Sequence, residues 1–313
     1  NTISGNKHVE MSGVEELNFK ASAATLDFSR AQEIDTIGVS GTDPTVSVLN
    51  SKIKTVNVNA TVTGTNAANI TVNDATMQDF NINKGIKAVL NSNGSTKLNI
   101  NVSNPDTVAA SGGTHTTEIN SSTVKELNFN LQKTTTTEDE FTQKVENASA
   151  LEKLKISNTT DKKVISTITA AQTVSSTTVN AINLKILDIE TKGNYKTSSD
   201  LSGISLINLK GTGEETAVTL DGKIGTPKVA TMPLWGVQDI TLSAENLKAL
   251  NIATGTNSKI VTDRNVSLTS TTDKEDATVA YGQIGDSATA KANDVSINAT
   301  GQKTLTTGNI YAN

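Results

Sequence analysis

One six-residue phrase recurs along this chain: an apolar residue, two mostly polar ones, then apolar, polar, apolar. It reads first as Val14-Glu15-Glu16-Leu17-Asn18-Phe19. It returns at Ile34–Val39, Ile53–Val58, Met77–Ile82, Val124–Phe129, Leu151–Ile156, Leu184–Ile189, Ile204–Leu209, Val237–Leu242 and Leu247–Ile252. Thr96–Asn101 carries a degenerate copy around Leu98 and Ile100. Repetition at intervals of about twenty residues implies a coiled, stacked architecture, because each unit is too small to bury its apolar face except against its neighbours.

The last three residues of each phrase alternate apolar, polar, apolar, as in Leu17/Phe19, Val56/Val58, Phe80/Ile82, Leu127/Phe129 and Leu187/Ile189. Alternation sends both apolar side chains to one face of a strand and the middle one to the other. A second alternating run lies between phrases: Leu26/Phe28, Val46/Val48, Ile70/Val72 and Val218/Leu220. One repeat therefore holds at least two short strands, joined by turns rich in Gly, Asn, Ser and Thr. The expected fold is mainly all-β, an elongated β-solenoid or β-helix of irregular repeats.

Composition agrees. Apolar residues make up 35% of the 313 residues and aromatics 3%. That is little for a globular core, but a thin solenoid core needs only small and β-branched side chains in each layer. The middle strand position is Asn at Asn18, Asn57, Asn81, Asn99, Asn128, Asn208 and Asn251. Asn is normally depleted in strands. Stacked about 4.8 Å apart, such amides can hydrogen-bond into a ladder.

One segment reads as a short inserted helix near 137–149. Thr137 and Glu140 form a capping-box pair, and Phe141, Val145 and Ala148 fall at i, i+4 and i+7. The repeats define a region 1–255. Residues 256–313 are more polar and read as a β-rich continuation or a small C-terminal module, with alternation surviving at Val295/Ile297 and Leu305. Pro227, Pro233 and Trp235 cluster around 226–235 and mark a second boundary.

The chemistry-bearing residues are sparse. His8 and His115 stand far apart in polar surroundings and read as surface residues. No nucleophile elbow, phosphate loop or His-Glu-x-x-His pattern accompanies them, so the chain is not expected to be an enzyme and no cofactor is implied. Carboxylates cluster at Glu138-Asp139-Glu140, at Glu214-Glu215, and at Asp273, Glu275 and Asp276. Calcium needs several oxygens converging on one point. Asp273, Glu275 and Asp276 are the candidates for it, although the glycine- and aspartate-rich nonapeptide of calcium-binding β-rolls is absent. Lys54, Lys97, Lys125, Lys153 and Lys185 fall at the strand edge, where charge guards against mispairing.

The net charge of −5 comes with no basic stripe, which argues against nucleic acid as a partner. There is no apolar run of membrane-spanning length. Cysteine is absent. The chain opens at Asn1 inside repeat-like sequence, which suggests a processed protein or a piece of a longer one. Zero cysteine with abundant Thr, Ser and Asn points to a bacterial exported protein.

Stretches such as Ala24-Thr-Leu-Asp-Phe-Ser29, Ile34-Asp-Thr-Ile-Gly-Val-Ser-Gly41 and Asn69-Ile-Thr-Val-Asn-Asp74 resemble the repeat region of Gram-negative surface-layer proteins, the Campylobacter and Caulobacter kind exported by the type I route. The resemblance is one of style over most of the chain, and it carries no diagnostic motif. It implies a β-solenoid that associates side by side with copies of itself into a lattice on the cell surface, anchored by a portion that binds lipopolysaccharide. The expected function is therefore structural and extracellular. The alternatives are a secreted β-solenoid adhesin and, further off, a carbohydrate-active β-helix enzyme. The phrases also resemble leucine-rich repeats, but their spacing is erratic and the usual Asn after the strand is missing.

Overall fold

A computed structural model of the chain describes residues 2–63, 66–74, 76–84, 87–103, 115–132, 140–174, 177–225, 238–286 and 291–313. The chain divides into two compact units, Asn1–Ala148 and Ser149–Asn313. Each is a β-solenoid of parallel strands, and the described residues contain no helix.

In the first unit one sheet is built from the recurring phrases. Its strands are the first part of Glu16–Arg30, then Thr36–Thr42, Thr55–Thr61, Asp79–Lys84, Lys97–Val102 and Glu126–Leu131. The second sheet takes Ile3–Glu10, the latter part of Glu16–Arg30, Thr45–Leu49, Ala68–Val72, Lys87–Asn91, His115–Asn120 and Glu140–Glu146. The chain alternates between the two sheets. Each strand therefore pairs with its counterpart one coil away, as when Thr36–Thr42 pairs with Thr55–Thr61 in unbroken register.

The phrase has a clear structural meaning. Its first residue is the corner. Ile34, Ile53, Met77, Val124, Leu151, Leu184 and Ile204 are all buried just ahead of a strand. Tight turns deliver the chain there: the Ile34, Leu184 and Ile204 amides donate to the carbonyls of Ala31, Ala181 and Leu201, at 3.3, 3.2 and 3.4 Å. The alternating residues then form inner rows that cross the coils. One runs Leu17, Ile37, Val56, Phe80, Ile100, Phe129. Such rows are the core: from Ile37 onward this one is essentially inaccessible to solvent, and burial of that kind contributes ~25 cal/mol per Å² of apolar surface.

The degenerate copy at Thr96–Asn101 also has an account. Its corner residue is Ser95, which is fully buried. The Ser95 hydroxyl donates to the carbonyls of Asp74 at 2.9 Å and Met77 at 2.7 Å, so a polar side chain is tolerated at an apolar position. The coil is also short. Phe80 lies opposite Ile100 rather than Leu98, a slip of two residues along the strand.

In the second unit the phrase sheet comprises Lys153–Asn158, Ile186–Thr191, Leu206–Gly211, Ile240–Glu245, Val266–Thr271 and Val295–Thr300. The second sheet comprises Lys163–Thr169, Tyr195–Thr197, Ala217–Leu220, Ala249–Ile252, Thr278–Tyr281 and Thr304–Thr307. A third face is made by Ile224–Gly225, Lys259–Val261 and Gln283–Ile284. The strands after residue 255 thus extend all three sheets. An antiparallel hairpin, Gln172–Val174 with Thr177–Val179, stands apart from them.

Two sequence expectations are corrected. The helix near 137–149 is not formed. Glu140–Glu146 is a strand, parallel to and in register with His115–Asn120. Phe141 and Val145 are four apart, a spacing that suits two strand periods as well as one helical turn. Gln143 hid the alternation. It is buried between them, at the end of an inner row running Ala68, Ala88, Thr117, Gln143. Thr137 lies outside the described residues. The copy at Leu247–Ile252 belongs to the second sheet, where Ala249–Ile252 pairs with Ala217–Leu220. This explains why it follows the preceding phrase so closely.

Candidate functional site

The outward-facing side chains form rows as regular as the core. In the first unit one row passes through Asn57, Asn81, Asn101 and Asn130. Each amide Nδ2 donates to the Oδ1 of the previous coil: Asn81 to Asn57, Asn101 to Asn81 and Asn130 to Asn101, all at 2.8 Å. A neighbouring row links Asn128 to Asn99 and Asn99 to Asp79, both at 2.9 Å. On the second sheet Asn147 donates to Asn120 at 3.4 Å and Asn120 to Asn91 at 3.1 Å. The expected ladder therefore exists with different partners, because the two-residue slip sets Asn81 beside Asn101. Asn18 turns to Glu16 at 2.9 Å instead. Asn208 donates to Asp188 at 2.7 Å.

In the second unit the corresponding face carries charge. Four adjacent strands, Lys153–Asn158, Ile186–Thr191, Leu206–Gly211 and Ile240–Glu245, place three outward rows in register. The first row is Lys153, Ile186, Leu206, Thr241. The second is Lys155, Asp188, Asn208, Ser243, and the third is Ser157, Glu190, Lys210, Glu245. A shallow groove of about 350 Å³ runs among Lys155, Asp188, Glu190, Lys210, Ser243 and Glu245.

Asp188 is held by Lys153 at 3.3 Å as well as by Asn208. Lys210 donates to Glu190 Oε1 at 3.0 Å, and that hydrogen bond, then the Glu190 charge, raises its pKa, with Glu245 adding to the effect. Lys155 and Ser243 make no side-chain hydrogen bond or ion pair among the described residues, and Glu245 acts on Lys210 only through its charge. The face carries a cation, Lys155, at one margin, an anion, Glu245, at the other and a neutralised centre. That equips it for recognition of a polar, charged surface.

The residues singled out by sequence are dispersed. His8 pairs with Asp27, Nδ1 to Oδ2 at 3.1 Å, on an exposed edge. Asp27 also accepts from Asn50 at 3.0 Å and from the Ser29 amide at 2.9 Å. These bonds, the one from Asn50 foremost, hold its pKa down at about 2. His115 opens the strand opposite Phe141. Glu138 and Asp139 lie outside the described residues, as do Pro227, Pro233 and Trp235.

Of the candidate metal ligands, Asp276 is the one whose carboxylate closely meets an ammonium group. Asp276 meets Lys303 at 2.6 Å, and Asp273 lies 4.0 Å from Lys274. Lys274 itself pairs with Glu214 at 3.1 Å, and Lys248 donates to the Glu275 backbone carbonyl at 2.6 Å. Among the described residues no three His, Cys, Asp or Glu side chains gather as a metal site. Glu214 and Glu215 line a small cleft of about 220 Å³ with Asp161, Lys192 and the stacked corner glycines Gly193 and Gly213.

The strand-edge lysines bridge coils. Lys54 binds Asp35 at 3.1 Å and lowers its pKa, and Lys97 binds Glu126 at 3.1 Å. Lys185 donates to the Ile182 and Gly203 carbonyls, both at 3.2 Å. Sequence reading missed the outward rows of the second unit because their members lie 20 to 35 residues apart, at intervals that vary from coil to coil. No helix among the described residues is long and apolar enough to cross a membrane. No protein-family model, curated protein or solved structure matches the chain.

Proposed function

We propose that this chain is a structural protein of the bacterial cell surface, exported and assembled with copies of itself into a surface layer through lateral contacts. The observation that carries the reading is the outward row. Stacked coils repeat the same polar side chain at a fixed spacing, as along Asn57, Asn81, Asn101 and Asn130. A surface of this kind suits many weak, repeated contacts better than a single turnover site. Inter-coil hydrogen bonds and ion pairs such as Lys54–Asp35 tie the coils together, which a load-bearing element requires. Lipopolysaccharide is the anchoring ligand that this reading implies.

Electron microscopy of the purified chain on a lipopolysaccharide-containing monolayer tests the proposal. Ordered two-dimensional arrays are expected. Isolated particles at every protein concentration would overturn it and favour an adhesin.

A further inference from the structure

We propose that the four-strand charged face of the second unit is a self-complementary contact, docking onto the same face of a second copy about a two-fold axis parallel to the strands. The proposal rests on the self-association reading above and names one of its surfaces.

A contact between identical faces needs a two-fold axis lying in the plane of the face. Place that axis midway between Ile186–Thr191 and Leu206–Gly211. Each residue then faces the register mate on the mirrored strand. Ile186 meets the second copy's Leu206, Asp188 meets its Asn208, and Glu190 meets its Lys210. At the margins Lys153 meets its Thr241, Lys155 its Ser243, and Ser157 its Glu245. Every charge faces an opposite charge, an amide or a hydroxyl, and the two half-buried apolar side chains, Ile186 and Leu206, meet each other.

The perpendicular choice of axis fails. Set through the middle row, it would bring Asp188 against the second copy's Asp188 and Lys155 against its Lys155, opposing like charges. Charge pattern therefore selects both the partner and the orientation. The margins, Lys155, Ser243 and Glu245, make no side-chain hydrogen bond or ion pair within the described residues of the chain, and their mates across the contact supply one.

The face is small. Four strands ~4.8 Å apart and six residues of ~3.3 Å each span roughly 400 Å² per copy. A stable pair of proteins buries about 800 Å² on each side. The contact is thus weak alone and acts in an array, where repetition adds up.

Because the chain has no cysteine, cross-linking reads the geometry directly. Two single variants are made, Lys155→Cys and Ser243→Cys, both on the surface strand rows. Within one chain these positions are three strand spacings apart, ~14 Å, too far to bridge. Facing sheets pack about 10 Å apart, beyond direct disulfide reach, so the two variants are mixed and treated with a short bis-maleimide that spans that gap; the mixture should give a linked pair, and neither variant alone should. Adding Glu190→Lys to both should abolish the product. Adding Glu190→Lys with Lys210→Glu should restore it, with circular dichroism showing every variant folded.

If the wild-type chain self-associates by sedimentation yet the mixture cross-links no more than the separate variants, this face is not the contact, although self-association stands. If the chain neither sediments as an oligomer at any concentration nor cross-links, both readings fall.

Discussion

Consider removing one rung from the asparagine ladder. Asn101 donates to Asn81 and accepts from Asn130, both at 2.8 Å. Asn101→Ala breaks both bonds and leaves Asn81 Oδ1 without its donor and Asn130 Nδ2 without its acceptor. At about 1 kcal/mol per bond, and with water able to reach these half-buried amides, the loss is roughly 1.5–2 kcal/mol. Asn57 stands at the end of the row, next to Gly38, and makes a single ladder bond. Asn57→Ala should cost about half as much.

The same row can be lengthened. A Cβ placed on Gly38 would lie 1.7 Å from Asn18 Oδ1, the tip of a side chain that can turn away. Gly38→Asn would then join Asn18 to Asn57, remove a strand glycine and stabilise the unit by about 1 kcal/mol after Asn18 gives up Glu16. Urea denaturation of the three variants, with slopes checked for a common transition, reads all three differences. Equal costs for Asn101→Ala and Asn57→Ala, together with a destabilised Gly38→Asn, would refute the ladder as a source of stability.

Other consequences follow from the same structure. Phe129→Ala should cost about 3–5 kcal/mol by thermal or urea melting, since the ring is 1% exposed within an inner row. Gly213→Ala should destabilise by roughly 1–3 kcal/mol, because its Cβ would sit 2.3 Å from the Lys192 carbonyl, a backbone atom with little room to retreat. Asp27 has a folded pKa of about 2, below its ordinary 3.8. Its contribution to stability is therefore complete above about pH 4 and is lost as pH falls through 2. Asn50→Ala should move the Asp27 titration upward in a carboxyl NMR experiment, and an unchanged midpoint would contradict the assigned cause.

Much of the fold is written in local pattern. The corner residue and the two alternating residues after it locate a strand unaided, so the phrase sheet could be read from Leu17, Val56 or Leu187. Runs such as Val46/Val48 located the second sheet in the same way. The third face could not be read, because its strands are two or three residues long and show no period. The strand at Glu140–Glu146 was obscured by one buried glutamine.

The candidate site was not legible at all. A row such as Lys155, Asp188, Asn208, Ser243 exists only through pairing between coils, and the loops that set it vary in length. Even the ladder, foreseen from the frequency of Asn, took different partners once the coil at Ser95 slipped by two residues.

That slip gives the most direct test of the stacked-coil account. Disulfide formation should be compared in two double variants, Asn81→Cys with Asn101→Cys and Asn81→Cys with Asn99→Cys. Register places 81 opposite 101, about 4.8 Å away, while 99 lies diagonally at roughly 8 Å, beyond disulfide reach. The account predicts rapid closure of the first pair and none of the second. Closure of neither pair in a folded chain would contradict parallel stacking of successive coils, and closure of the second pair instead would contradict the two-residue slip.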